Sequence, residues 1–255
     1  VLANMPASLP AERVMIVLYT FGPLWGLPDP SPFVIKSAVQ LKMSGLDFRT
    51  EKSRPPEAPK GKLPFIEDQG VLIGDSVFIR EHLERKYGVD LDAGLSARQR
   101  ALAWTVERMV EDHIYWATVY ARWGVRENFD KGPAIFFGGA PPDVMEAGRA
   151  RVLDVLHGQG FGRHTLAEVA GLAGRSFAAV SELLGEGPYL SGETICGADA
   201  TLYAGLAAVL TPHFDTPVRD ALLTHPNLVA YHDRMAARFY PSFAPSPAET
   251  EPAAA

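Results

Sequence analysis

With 255 residues, 47% of them hydrophobic and 21% charged, the chain has enough apolar content to bury a substantial core in one or two domains. A net charge of −6 argues against a general nucleic-acid-binding or anionic-membrane surface, leaving only a local basic patch around Arg54, Lys60 and Lys62. The single cysteine, Cys196, has no internal disulfide partner, which fits a reducing compartment.

Residues 1–12 and 241–255 are rich in Ala and Pro and read as flexible tails. The first of them lacks the basic region and apolar core of a signal peptide, and no run approaches the ~20 apolar residues of a membrane helix. A cytoplasmic protein is the expectation. Val14 to Thr20 is a continuous apolar run, short enough for a central strand buried on both faces. Phe21 to Pro30 carries Gly22, Pro23, Gly26, Pro28 and Pro30 and reads as a loop, long for a strand-to-helix connection.

Ser31 is a favoured N-cap and Pro32 a tolerated first-turn residue, so a helix is expected from Pro32 to Gly45, its apolar side built from Val34, Ile35, Ala38, Val39 and Leu41. A second strand is expected near Leu46 to Lys52, then a proline-dense loop from Arg54 to Pro59. A hairpin follows, with strands at Leu63 to Ile66 and Val71 to Ile73 and its turn at Asp68-Gln69-Gly70. Asp75-Ser76 then opens a helix running to Tyr87. This β-α-β, β-β-α order predicts a small mixed sheet with helices, thioredoxin-like in outline, over residues 13–88.

After a linker near Gly88 to Ser96, residues 96–240 show only helical patterns. One long amphipathic helix is expected from Ala97 to Trp123, with further helices at Val144 to Leu156, Thr165 to Leu184, Asp199 to Leu210, Pro217 to Leu223 and Leu228 to Arg238. The fold class is therefore α+β, a thioredoxin-like N-terminal domain followed by an all-α C-terminal domain.

Pro64 stands directly before a β-rich run, where proline would normally break a ladder. A cis Leu63-Pro64 bond resolves this, because it leaves the Leu63 backbone unpaired and facing a ligand. An extended peptide can pair with such a backbone as an added strand does.

A thioredoxin-like half followed by a helical half is the architecture of glutathione S-transferases, and the motifs carry the resemblance further. Leu18-Tyr19-Thr20, Ser31-Pro32-Phe33, Gly61-Lys62-Leu63-Pro64-Phe65-Ile66 and Asp75-Ser76 resemble that family's N-terminal motifs in order and spacing. Ser31-Pro32-Phe33-Val34-Ile35-Lys36, Gly160-Phe161-Gly162-Arg163-His164 and His225-Pro226-Asn227-Leu228 resemble its Failed-axon-connections and metaxin-like branch. The resemblance spans roughly Val14 to Pro241 and implies glutathione as co-substrate, a homodimer and no metal.

It also implies roles. Ser31, at a helix N-terminus, would donate a hydrogen bond to the glutathione thiolate, with the helix's positive end favouring the anion. Tyr19, at the end of the first strand, is the rival hydroxyl. Leu63 and Pro64 would align the cysteinyl part of the peptide, Asp75 and Ser76 would hold the γ-glutamyl end, and Lys62 would meet the glycyl carboxylate. Redox members of the fold carry a cysteine where Ser31 stands, and no cysteine precedes Cys196, so disulfide exchange at this helix tip is chemically closed.

A second substrate, a small hydrophobic electrophile, would sit between the domains. Asp112, Trp116, Tyr120 and Trp123 recur at helical spacing on the long helix and would line that pocket with Trp25, Tyr115 being a less favoured neighbour. An aromatic stripe of this kind is more often core. Asp199 is expected to be structural, in a capping box whose cap position is occupied by Cys196. The seven histidines show no metal-ligand spacing. Two other readings fit the same motifs: a glutathione-dependent lyase or dehalogenase, or a metaxin-like scaffold protein whose Phe21 to Pro30 loop fills the glutathione site.

Overall fold

The computed structural model describes residues 15–244. Val14, the tail 1–12 and the tail beyond 244 lie outside the described residues.

The apolar run becomes β1 (Ile16–Thr20), the second strand of a four-stranded sheet in the order β2-β1-β3-β4. β1 pairs parallel with β2 (Phe48–Lys52), with Ile16 opposite Phe48, and antiparallel with β3 (Phe65–Asp68), with Tyr19 opposite Phe65. β4 (Val71–Gly74) completes the hairpin with β3. Gln69 at φ 53° and Gly70 at φ 79° form its two-residue turn, and left-handed backbone at both central positions matches the twist of the flanking strands. The strand expected from Leu63 begins at Phe65 instead, because Pro64 has no N–H to give to a ladder. The Leu63-Pro64 bond is cis.

Helix α1 (Pro32–Ser44) is capped by Ser31 and ended by Gly45 at φ 69°. Helix α2 (Ser76–Tyr87) is capped by Asp75, whose carboxylate accepts the Val77 N–H at 3.1 Å. Ile16, Leu18 and Ile66 from the sheet pack with Ala38 and Leu41 of α1 and Ile79 and Leu83 of α2 as one apolar cluster.

The expected long helix is continuous in path but not in register. It runs as α3 (Ala97–Met109), a π turn (Val110–Ile114), α4 (Tyr115–Val119) and a second π turn (Tyr120–Gly124). Each i→i+5 turn takes in an extra residue and rotates the side chains beyond it relative to α spacing. A short helix, α5 (Arg126–Lys131), follows where no helix was expected. Helix α6 (Pro142–Gln159) extends beyond the apolar segment that predicted it. Helix α7 (Leu166–Leu184) starts at a capping box between Thr165 and Glu168. α8 (Gly197–Leu210), α9 (Pro217–Leu223) and α10 (Pro226–Phe239) complete the helical half.

Helix α8 is buried along residues 197–209 and passes through the middle of the molecule, as an all-round apolar helix must. Its Gly205 lets the long helix approach, since a Cβ there would stand 2.5 Å from Val110 Cγ1. Ile35 and Val39 of α1 share a single apolar cluster with Val106 and Val110 of the long helix and Leu202 and Leu206 of α8. The two halves are therefore one packed body.

A charged seam crosses that junction. Lys36 of α1, 1% exposed, donates to Glu107 at 2.9 Å and to Glu111 at 2.7 Å. Glu107 also accepts from Arg80 of α2 at 3.1 Å and from Thr201 of α8 at 3.2 Å, and Arg80 reaches Asp92 in the linker at 2.6 Å. A lone buried ammonium or carboxylate is prohibitively unfavourable, so these groups hold one another in place. No helix among the described residues is long and apolar enough to cross a membrane.

Candidate active site

A cleft of about 710 Å³ opens between the sheet domain and the long helix, within the size range of small-ligand sites. Its sheet-domain wall is formed by Ser31 at the head of α1, by Leu63 and Pro64 before β3, and by Asp75 and Ser76 at the head of α2. Three segments distant in sequence thus border one cleft.

Ser31 has extended backbone, φ −95°, and its hydroxyl oxygen accepts the Val34 N–H at 3.4 Å. That contact uses an acceptor lone pair and leaves the hydroxyl proton free for a ligand. Leu63 lies outside the ladder, while the Pro64 carbonyl accepts the Asp75 N–H at 3.2 Å and ties the cis-proline corner to the α2 cap. Asp75 holds φ 87°, unusual for a residue with a Cβ. Burial works to raise its pKa, but the Lys62 ammonium and the Val77 N–H outweigh that and hold the carboxyl below its ordinary range. The Lys62 ion pair measures 2.9 Å, so Lys62 is engaged with Asp75 at the cleft edge. The Ser76 side chain is 3% exposed and makes no hydrogen bond among the described residues.

The helical wall carries Asp112, Trp116 and Trp123, together with Tyr115, which the spacing ranked lower. Tyr115 meets Phe33 edge-on at 4.8 Å, directly beyond Ser31, and burial raises its hydroxyl pKa against the opposing charge of Arg122. Two expected residues stand outside the cleft. Tyr19 donates to Glu67 at 3.0 Å and stacks on Phe65 at 4.2 Å, because in β1 its side chain belongs to the sheet face above β3. Tyr120 donates to the His164 carbonyl at 3.0 Å and does not line the cleft. Of the two rival hydroxyls, only that of Ser31 lines the cleft.

The Phe21 to Pro30 loop does not fill this space. It folds back at a bridge between Leu24 and Leu27, and Trp25 packs away from the sheet against His213 and Phe214 while still lining one end of the cleft. The Thr211 hydroxyl donates to the Trp25 carbonyl at 2.7 Å. Asp29, 2% exposed, accepts the N–H groups of Phe21, Gly22 and Ser31 at 2.9, 3.1 and 2.8 Å. Burial pushes its carboxyl up to about 7 despite these three donors.

Of the charged members of the helical wall, sequence reasoning named Asp112 but missed Arg108, Glu111 and Arg122. Arg108 and Arg122 were discoverable as the basic residues seven positions before and after Tyr115, at helical spacing. Cys196 takes no part in this site. It is buried, and its thiol is pushed up to about 12, first by burial and then by the Asp199 charge.

The comparisons with known proteins agree with this geometry. A family profile described as glutathione S-transferase N-terminal domain matches residues 32–129, and one described as glutathione S-transferase, C-terminal domain matches residues 173–235. Isoprene-epoxide–glutathione S-transferase of Rhodococcus sp. is 34% identical across 87% of this chain and 98% of that protein. Failed axon connections of Drosophila melanogaster is 28% identical across 91% of this chain, which spans 60% of that longer protein. Among solved structures, the beta-etherase LigF of Sphingobium sp. shares the fold with a TM-score of 0.60 at 22% identity, covering 89% of this chain and 98% of that one. With the two profiles in order and a relative matched over nearly its whole length, the chain belongs to the glutathione S-transferase family.

Proposed function

We propose that the protein is a serine-type glutathione transferase that joins glutathione to a small hydrophobic epoxide. The observation carrying this reading is the convergence of the Ser31 hydroxyl, the Leu63-Pro64 edge and Ser76 on one cleft that keeps open volume beside Trp116 and Trp123. Leu63 would pair with the cysteinyl backbone, Ser76 and the α2 N-terminus would take the γ-glutamyl carboxylate, and Lys62 would face the glycyl end. Ser31 would hold the sulfur as thiolate. The thiolate attacks a ring carbon, the S–C bond forms as the C–O bond breaks, and the released alkoxide takes a proton from water. The epoxide class is drawn from the Rhodococcus relative and from the apolar character of the helical wall. The open cleft favours catalysis over a scaffold role in which the Phe21 to Pro30 loop plugs the site.

Ser31→Ala is expected to lower kcat/KM for glutathione with a 1,2-epoxide by about 10²-fold, the scale of losing one donor to a developing or resident anion. The pH profile should move to higher pH by about one unit as the thiol loses its partner. A variant with wild-type rate and wild-type pH profile would remove Ser31 from the mechanism.

The homodimer belongs to the same proposal. Val71 and Leu72 are 56 and 50% exposed on β4, the edge strand of the sheet, while Phe78 of α2 and Trp104 of α3, 47 and 51% exposed, stand at the cleft. Exposed apolar groups of this kind mark association surfaces. Sedimentation equilibrium at micromolar concentration should return twice the chain mass, and a monomer mass would sink this part.

A further inference from the structure

The peptide unit joining Pro30 to Ser31 is held at both ends by buried polar side chains. Its carbonyl, on Pro30, accepts from Arg122 Nη1 at 2.8 Å, and its N–H, on Ser31, donates to Asp29 Oδ1 at 2.8 Å. Asp29 uses its second oxygen to take the N–H groups of Phe21 and Gly22, so this end of the grip is anchored where the chain leaves β1. Arg122 uses Nη2 to reach the Ala208 carbonyl in the last turn of α8 at 2.8 Å, so the other end is anchored in the helical half.

Arg122 sits in the second π turn, 7% exposed, with Trp25 and Phe214 each 5.1 Å from its guanidinium. It lines the cleft and has no carboxylate partner among the described residues, and its Nε lacks a hydrogen-bond partner. Burial pulls its pKa down to about 10, which leaves it charged at neutral pH. An arginine stationed solely for packing would be expected to meet a carboxylate or solvent. Here the charge is applied to one backbone carbonyl next to the site hydroxyl and to one helix end.

We propose that Arg122 and Asp29 are positioning residues that clamp the Pro30–Ser31 peptide and thereby aim the Ser31 hydroxyl into the cleft. The clamp works through a peptide plane, whose rigidity passes the orientation set at the carbonyl directly to the Ser31 N–H. It also ties that orientation to the docking of the helical half, because one jaw is carried by the long helix and braced on α8. The functional part of this inference rests on the proposed role of Ser31 as the thiolate partner.

The test uses Arg122→Gln, Arg122→Lys and Asp29→Asn in the full chain, each also combined with Ser31→Ala. Conjugation of glutathione to a 1,2-epoxide is measured alongside amide hydrogen exchange. Arg122→Gln is expected to lower kcat by about 10-fold with KM for glutathione changed less than about 3-fold, and to cost less than about 2-fold in the Ser31→Ala background, since groups acting as a unit are non-additive. Arg122→Lys keeps the charge but cannot span both carbonyls, so it should restore activity only in part. The Ser31 amide should exchange about 10-fold faster in Arg122→Gln and in Asp29→Asn, while α8 amides keep their protection.

Unchanged exchange at Ser31 would overturn the clamp, and so would effects of Arg122→Gln and Ser31→Ala that simply multiply where Ser31→Ala itself slows the reaction. If Ser31→Ala is silent while the Ser31 amide loses protection in Arg122→Gln, the clamp stands as a positioning device and the catalytic reading of Ser31 fails. Asp29→Asn tests the opposite jaw and keeps the proposal open to refutation where an Arg122 variant does not fold.

Discussion

Replacing Lys36 by methionine is expected to remove about 3–5 kcal/mol of folding stability, the range for breaking a buried ion pair from one side. The two side chains have similar length and volume, so the change isolates charge from packing. Lys36 is 1% exposed, and its ammonium lies 2.9 Å from Glu107 and 2.7 Å from Glu111, themselves 3% and 8% exposed. Methionine leaves Glu107 with Arg80 at 3.1 Å and Glu111 with Arg108 at the cleft wall, so neither carboxylate is wholly abandoned. The seam nevertheless loses the one cation contributed by α1. Because α1 carries Ser31 at its head, the same variant should loosen the docking of that helix on the helical half. Urea unfolding followed by circular dichroism at neutral pH checks this, and a loss below about 1 kcal/mol would show that the seam is dispensable.

Asp199→Ala is expected to be comparably damaging for a different reason. Asp199 is fully buried in the first turn of α8 and satisfies three donors: the Leu190 N–H at 3.0 Å, the Cys196 N–H at 2.8 Å and the Tyr231 hydroxyl at 2.9 Å. The Tyr231 hydroxyl keeps the Asp199 backbone carbonyl at 3.0 Å, so two buried N–H groups are orphaned, and at about 1–3 kcal/mol each a total of about 2–5 kcal/mol follows. Asp199→Asn should fall between, since it retains one acceptor and turns the other position into a donor facing an N–H. Tyr231→Phe removes a single partner and should cost about 1 kcal/mol. Equal losses for the alanine and asparagine variants in urea unfolding would contradict this account. The box works although its cap residue is Cys196, because the decisive bond runs from the Cys196 backbone N–H to the Asp199 carboxylate and needs no hydroxyl at the cap.

Much of the architecture was legible along the chain because the signals are local. Ser31 and Pro32 start a helix by cap chemistry and Gly45 ends it. The alternation of strand and helix patterns through Tyr87, followed by helical patterns only, was enough for the fold class. The cleft wall on the sheet side was also legible, since Ser31, Leu63, Pro64, Asp75 and Ser76 all sit at element ends, where a motif and its position coincide. The helical wall was harder. Ideal α spacing placed Tyr120 with Trp116 and Trp123, but the Tyr120 hydroxyl is taken by the His164 carbonyl, 44 residues away, and nothing local to Tyr120 announces that partner.

By itself the sequence determined the strand and helix order of the sheet domain and the absence of a cysteine at the α1 tip, because cap, turn and composition rules act over a few residues; that three segments meet there was implied by the family resemblance. Only the tertiary structure decided which hydroxyl reaches the cleft and whether the Phe21 to Pro30 loop closes it. Tyr19 is drawn to Glu67 across the sheet, and the loop is drawn to Arg122, Thr211 and Phe214 of the helical half. These choices depend on pairing polar groups between segments some 50 to 190 residues apart; the first exists only once the sheet has formed and the second only once the two halves have packed.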